Sequence, residues 1–159
     1  NMTQFQKISL FLLRVSLGWL MLYSGINALT TPGWSAAGYL KGAKTFVVFY
    51  QWLLQPNILP ITNFMNEWAL TLLGVSLILG VFVRFSAPLG ALLMLLYYFP
   101  ILAFPYPNAH AFIVDEHIIY AFALLLLAAV GAGRVWGLEN WCANLPICSR
   151  FPRLRNWLG

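Results

Sequence analysis

Apolar runs of membrane-crossing length alternate along this chain with short breaks of proline, glycine and charge. The first run, about 8–28, ends at Thr30-Thr31-Pro32-Gly33 and is long enough to cross a hydrocarbon core of about 30 Å. Within it Arg14, Gly18, Met21 and Gly25 recur at helical spacing, which predicts a low-profile face that another helix can approach closely. A shorter run, Phe46 to Leu54, lies between Lys44 and Gln55-Pro56. It makes roughly 14 Å of helix, too little to cross, so an interfacial or re-entrant helix is expected there. The second span is read over about 66–83, with Asn66 as its cap and Glu67 in its first turn, where the helix dipole favours an anion. The third covers about 87–100, with Pro88 in its first turn, and Pro100, Pro105 and Pro107 break the stretch beyond it. The fourth, about 112–131, must begin before its unbroken apolar part, because Ile118 to Val130 gives only roughly 20 Å of helix. It is therefore expected to carry Asp115, Glu116 and His117 in its outer turns.

This pattern predicts an all-α membrane protein: a four-transmembrane-helix bundle with an extra interfacial or re-entrant helix between the first and second spans. Residues 1–139 form the bundle and 140–159 a basic tail. Composition agrees. The 159 residues are 61% hydrophobic and 8% charged, with a mean hydropathy of +0.77, against roughly a quarter charged in a soluble domain. The net charge of +5 does not point to nucleic acid, because the cations sit at the edges of apolar runs and no basic stripe can form. Lys7, Arg14, Arg84, Arg134 and the tail arginines Arg150, Arg153 and Arg155 fall on one side, and Lys41 and Lys44 on the other. That bias predicts a multi-pass protein with both termini in the cytoplasm. The first apolar run lacks a cleavage site and reads as a retained span.

Topology gathers the unusual polar groups at the outer ends of the spans. Ionisable side chains at membrane depth are costly and face a bundle interior or a wet cavity. A carboxylate beside an imidazole exchanges protons near neutral pH, and quinone reduction consumes two protons with two electrons. Glu67, Asp115 and His117 are therefore the candidate proton-handling residues of a quinone site, with Arg14 and Tyr120 as candidate ligand contacts. Ordinary dipole complementarity explains Glu67 and Asp115 as well, and both readings stay open. Glu116 is expected on a different face from His117. His110 and His117 would share one helical face, which argues against a bis-His haem, whose axial ligands approach from opposite sides. Arg14 lies two turns inside its span, where it either snorkels to headgroups or binds an acidic or carbonyl group within the bundle. Cys142 and Cys148 do not form a CxxC pair, and two reduced thiols are expected. The sequence contains no haem pair, iron–sulfur cysteine set or metal-ligand set, so electrons passing through must be carried by a partner or a bound small molecule.

The run Leu13-Arg14-Val15-Ser16-Leu17-Gly18-Trp19, then Tyr23-Ser24-Gly25 and Pro32-Gly33-Trp34-Ser35-Ala36-Ala37-Gly38-Tyr39-Leu40, resembles the DoxX/DoxD family. Asn66-Glu67-Trp68 leading into Leu73-Gly74-Val75-Ser76-Leu77-Ile78-Leu79-Gly80 and Arg84 does so too. Val114-Asp115-Glu116-His117-Ile118-Ile119-Tyr120, Gly131-Ala132-Gly133-Arg134 and Trp136-Gly137-Leu138 extend the likeness, with Glu139 standing where Asp is expected. The resemblance implies a four-helix membrane bundle in the inner membrane of a prokaryote and, in the DoxD branch, the membrane subunit of a thiosulfate:quinone oxidoreductase. Its expected surroundings are the lipid bilayer and other membrane-complex subunits. The alternative is a non-catalytic accessory subunit of a larger respiratory or photosynthetic membrane complex. A small transporter is a weaker third reading, since no internal repeat or broken midplane helix is evident.

Overall fold

Helix α1 (Gln4–Thr30) opens on a reciprocal cap. The Gln6 backbone N–H donates to the Thr3 hydroxyl at 3.2 Å, and the Thr3 N–H donates to the Gln6 side chain at 2.8 Å, so two otherwise orphaned donors are satisfied together. In this computed structural model, which describes residues 1–153, two short helices follow, α2 (Ala37–Lys41) and α3 (Val47–Leu53). The longer α4 (Leu59–Leu79), α5 (Val83–Ile101) and α6 (Glu116–Ala129) come next. A single 3-10 turn (Ala132–Arg134) leads to α7 (Glu139–Ala143) and α8 (Pro146–Arg150). Arg155, one of the expected tail arginines, lies outside the described residues, as does the rest of the tail beyond Arg153. The architecture is all-α. Helices α1, α4, α5 and α6 pack side by side around one core, with α1 against α4, α4 against α5, and α5 against α6.

Helices α1 and α5 are long and apolar enough to cross a membrane, and only 28% and 33% of their most apolar stretches are buried inside the molecule. The core helix of a soluble protein would be mostly buried. Large apolar side chains point outward instead, including Leu12, Trp19, Leu72, Leu92 and Phe122, as lipid solvation requires. Small residues occupy the contacts between helices. The predicted stripe of Arg14, Gly18, Met21 and Gly25 is buried along α1. A Cβ at Gly25 would lie 2.6 Å from the Thr71 backbone nitrogen, and one at Gly74 would lie 2.5 Å from that of Leu22. The two glycines let α1 and α4 touch backbone to backbone.

Several boundaries differ from the sequence reading: α4 ends at Leu79 and α5 already starts at Val83, so Pro88, expected in the first turn, lies inside the helix. Helix α4 starts seven residues before Asn66, capped by Ile58 with Pro60 in its first turn. Thr62 and Asn63 do not break it, because the Asn63 side chain turns outward and accepts the Ala36 N–H at 3.0 Å. Glu67 therefore sits two turns inside the helix rather than at its N-terminus. Helix α6 starts at Glu116, with Asp115 as its cap. Its 14 residues give roughly 21 Å of helix, and residues 103–114 form a loop closed by two isolated bridges. His110 lies exposed in that loop and shares no helical face with His117. Finally, the connection from α1 to α4 holds two short helices where one is expected.

Pro100 explains how that connection is fastened. Lacking an N–H, it cannot bond the Leu96 carbonyl inside α5, and the Tyr50 hydroxyl donates to that carbonyl at 2.8 Å. The Lys44 N–H donates to the Pro100 carbonyl at 3.0 Å, the Thr45 hydroxyl to the Leu102 carbonyl at 2.6 Å, and the Tyr39 hydroxyl to the Tyr97 carbonyl. The α2–α3 strap is thus tied to the end of α5.

The opposite end is closed by Arg14, which has no exposed surface. Its Nη1 donates to the carbonyls of Leu77 and Ile78 at 2.7 and 3.2 Å, and its Nη2 to those of Val135 and Trp136 at 3.1 and 3.3 Å. The first two are the free carbonyls of the last turn of α4; the other two belong to the turn after α6. Trp136 holds a left-handed φ of +53°, an unfavourable conformation for a bulky residue. Between the two carbonyl pairs, Gly80 leaves room for the guanidinium, since a Cβ there would collide with Arg14 Nη1. One side chain therefore ties the first, second and fourth long helices at a single end.

Removing it strands four carbonyls, one in a buried and three in part-buried hydrogen bonds. Arg14→Met is expected to lower stability by about 3 kcal/mol. Arg14→Lys should restore less than half, since an ammonium cannot reach acceptors on both sides of a planar fork. Thermal unfolding in mild detergent measures both; a Lys variant as stable as the parent would contradict the assignment.

Candidate functional site

At the end away from Arg14 the four long helices leave a cleft of about 460 Å³. Its floor is apolar, formed by the buried side chains of Met21, Leu70 and Met94. Ser24 and Asn27 from α1, Asn66 from α4 and Tyr120 from α6 supply polar groups around it, and Glu116 and His117 stand at the first turn of α6. Trp34 and Tyr39 reach in from the strap.

Asp115 organises this wall. Its Oδ1 accepts the backbone N–H groups of His117 and Ile118 at 3.0 and 3.3 Å, capping α6. Its Oδ2 lies 2.8 Å from Nδ1 of the His117 ring. The Asp115 side chain is 1% exposed and that of His117 21%. With Asp115 as a carboxylate, His117 donates from Nδ1, which leaves Nε2 as the nitrogen that can accept a proton. The structural role of Asp115 as a cap and its pairing with His117 are compatible, because each uses a different oxygen. The Tyr97 ring lies beside the His117 ring, with centroids 6.2 Å apart.

The structure brings His117 and Tyr120 into the cleft, with Asp115 behind His117. Glu67 is half-buried in α4 and does not line it. Arg14 belongs to the joint at the other end. Glu116, expected on another face, lines the cleft beside His117, because the opening is wide enough to span adjacent positions of the first turn. Ser24 and Asn27 were not singled out as site residues by sequence reasoning, and Asn66 was read only as a helix cap, whereas it lies inside α4. A signal for two of them exists: Ser24 and Asn27 are polar positions one turn apart near the outer end of an otherwise apolar helix. A larger groove between α4 and α5, about 620 Å³, is apolar throughout except for Ser76 and Ser86. Those two hydroxyls bond each other at 2.6 Å, so the groove offers a ligand no free polar group. Among the described residues no cluster of three His, Cys, Asp or Glu side chains is placed to share a metal ion. Cys142 and Cys148 are both free thiols.

Sequence reasoning noted Glu139 only as a departure from the family pattern; it is 2% exposed beside the Arg14 joint. Both of its carboxyl oxygens are buried without a hydrogen-bond partner. A Cβ at Gly133 would collide with its Oε2, and one at Gly137 with the Gly133 carbonyl, so the glycines of this turn make space for the acid. Burial pushes the Glu139 carboxyl up to about 7, while Arg134, Arg84 and Arg14 hold it down. Its sequence signal was the lone acid among the cations of that end.

The family model described as DoxX matches residues 9–103, more than half of the chain. The match takes in α1 to α5; the Val114–Tyr120 and Gly131–Leu138 motifs lie beyond it. No curated protein and no solved structure matches the chain.

The raised Glu139 carboxyl has a pH consequence of definite sign. A carboxyl raised from 4.5 to about 7 on folding binds its proton more tightly in the folded state. Its contribution is fully present below pH 4.5 and is lost as the pH rises through about 7. The stability of the parent relative to Glu139→Gln is therefore expected to fall across this window and to level off above it. Thermal unfolding of both proteins from pH 4.5 to 8.5 reads the difference; a relative stability that rises with pH would contradict the assignment.

Proposed function

The chain belongs to the DoxX family of membrane proteins, and on that premise we propose that it is the quinone-handling membrane subunit of a quinone-linked oxidoreductase. The observation that carries this reading is the His117–Asp115 pair at the wall of a cleft that is apolar below and polar at its rim. A quinone ring needs flat apolar contact on its faces and proton-exchanging groups at its oxygens. Met21, Leu70 and Met94 suit the first need, and His117 with Tyr120 the second. His117 moves a proton at Nε2, and Asp115 stabilises the imidazolium that results. Glu116, exposed at the outer surface, exchanges protons with water.

The DoxD resemblance supplies the donor in this proposal. Two thiosulfates join through a new S–S bond to give tetrathionate and release two electrons, and the quinone takes up those electrons with two protons to become the quinol. A partner subunit carries out the thiosulfate step, and this chain binds the quinone. The proposed topology has four crossings by α1, α4, α5 and α6, with both ends of the chain in the cytoplasm. Its support is that Arg14 lies at the same end of the bundle as the arginine-bearing turns 80–84 and 131–136, whereas Lys44 lies at the other. The apolar loop residues Tyr106, Phe112 and Ile113 would seat the short α6 in the interface.

Purification in mild detergent, with co-purifying proteins and extracted quinones identified by mass spectrometry, is the test. A bound quinone and a sulfur-oxidising partner are expected. His117→Ala should slow thiosulfate-dependent quinone reduction by roughly a hundredfold, the usual scale for a lost general acid–base. Asp115→Asn should shift the pH profile of that activity. Full activity in both variants would overturn the site. Co-purification with a large haem-bearing or pigmented assembly, with no quinone belonging to this chain, would favour the accessory-subunit reading instead.

A further inference from the structure

The cleft does not close toward the lipid. Its buried floor is Met21 of α1, Leu70 of α4 and Met94 of α5, and its exposed lining residues are Leu20, Ser24, Asn27 and Glu116 along the seam between α1 and α6, with Tyr39 of the strap. These two helices meet only lightly, unlike α1 with α4 or α5 with α6. Further along the same seam, toward the Arg14 end, lies a second groove of about 650 Å³. Leu10 and Leu13 of α1 and Leu126 and Val130 of α6 line it. On α1, Leu13, Leu17, Leu20 and Ser24 recur every three or four residues, so both hollows lie along one helical face. The lining is polar at the cleft, with Ser24, Asn27 and Glu116, and mostly apolar in the second groove, where Gln6 and Ser9 are the polar residues among Met2, Phe5, leucines and a valine.

We propose that the α1–α6 seam is a tail groove: a ligand whose quinoid head sits in the cleft lays a long apolar tail along the seam toward Val130. This rests on the quinone reading of the cleft. From His117 to Val130 the helix rise gives roughly 20 Å, which sets the length of tail the seam accommodates. Charge decides between this occupant and a phospholipid. Among the lining residues of the cleft Glu116 is the acid and no Lys or Arg is present, so a phosphate finds no lysine or arginine to pair with, whereas a neutral head needs none. The ligand then comes and goes sideways from the bilayer and needs no aqueous path.

Two benzoquinones with the same head test this on the full-length protein in detergent, one bearing a methyl group and one a long isoprenoid tail. Filling the inner groove with Ser9→Trp and Val130→Trp, both at exposed positions, should reduce the long-to-short affinity ratio roughly tenfold, about 1.4 kcal/mol. Affinity for the methyl quinone should not change. Leu89→Trp, which fills the α4–α5 groove, should leave the ratio as it is in the parent, so that partitioning into detergent cancels. If the paired substitution does not fold, each single one is read the same way. A ratio unmoved by the seam substitutions, or moved equally by Leu89→Trp, overturns the tail groove and leaves the cleft reading standing. Failure of the parent to bind either quinone overturns both.

Discussion

A guanidinium with no exposed surface and four carbonyl partners on two other elements is the constraint around which this bundle is arranged. Carbonyls at a helix end have no partner of their own, and in a lipid environment water does not supply one. Arg14 satisfies two at the end of α4 and two after α6, and so fixes where α1 stands between them. The close contacts around it share that cause. Gly80 yields space to the guanidinium, Gly133 and Gly137 yield space to Glu139 and to each other's backbone, and Gly25 and Gly74 carry the α1–α4 contact along the rest of its length.

Fastening the helices at one end permits separation at the other. Among the described residues the end away from Arg14 has no equivalent of it, and the polar groups there line an opening instead of filling it. The strap of α2 and α3 is tied to α5 through Tyr39, Thr45 and Tyr50, so the cleft has a roof on that side and an open seam between α1 and α6. A tight, small-residue end and a wider polar end within the same four helices allow a bundle of modest length to be both stable and receptive to a ligand.

Much of this was legible in the sequence, and the failures have physical causes. The all-α class, the glycine stripe on α1, the short helix near residue 50 and the place of Asp115 and His117 at the start of the last long helix came from spacing and from the cost of charge at membrane depth. The start of α4 did not, because Pro60 reads equally well as a breaker or as a first-turn residue, and only the contact of Asn63 with the strap decides it. The start of α6 was placed too early because a span of full length was required, whereas Asp115 caps the helix at Glu116. Arg14 was correctly recognised as unusual, but its carbonyl partners lie more than sixty residues away in sequence, beyond the reach of local pattern. The burial of Glu139 was not foreseen, because burial of an acid in a turn among arginines depends on how the glycines pack.

The pairing of His117 with Asp115 joins the fold to the proposed chemistry: the residue that caps the last long helix also holds Nδ1 of the His117 ring. Photolabelling the protein with an azidoquinone and mapping the modified peptides tests that connection most directly. The account predicts label on Met21, Met94 or Tyr120, displaced by excess unlabelled quinone. Label confined to the α4–α5 groove, or not displaced by quinone, would contradict it.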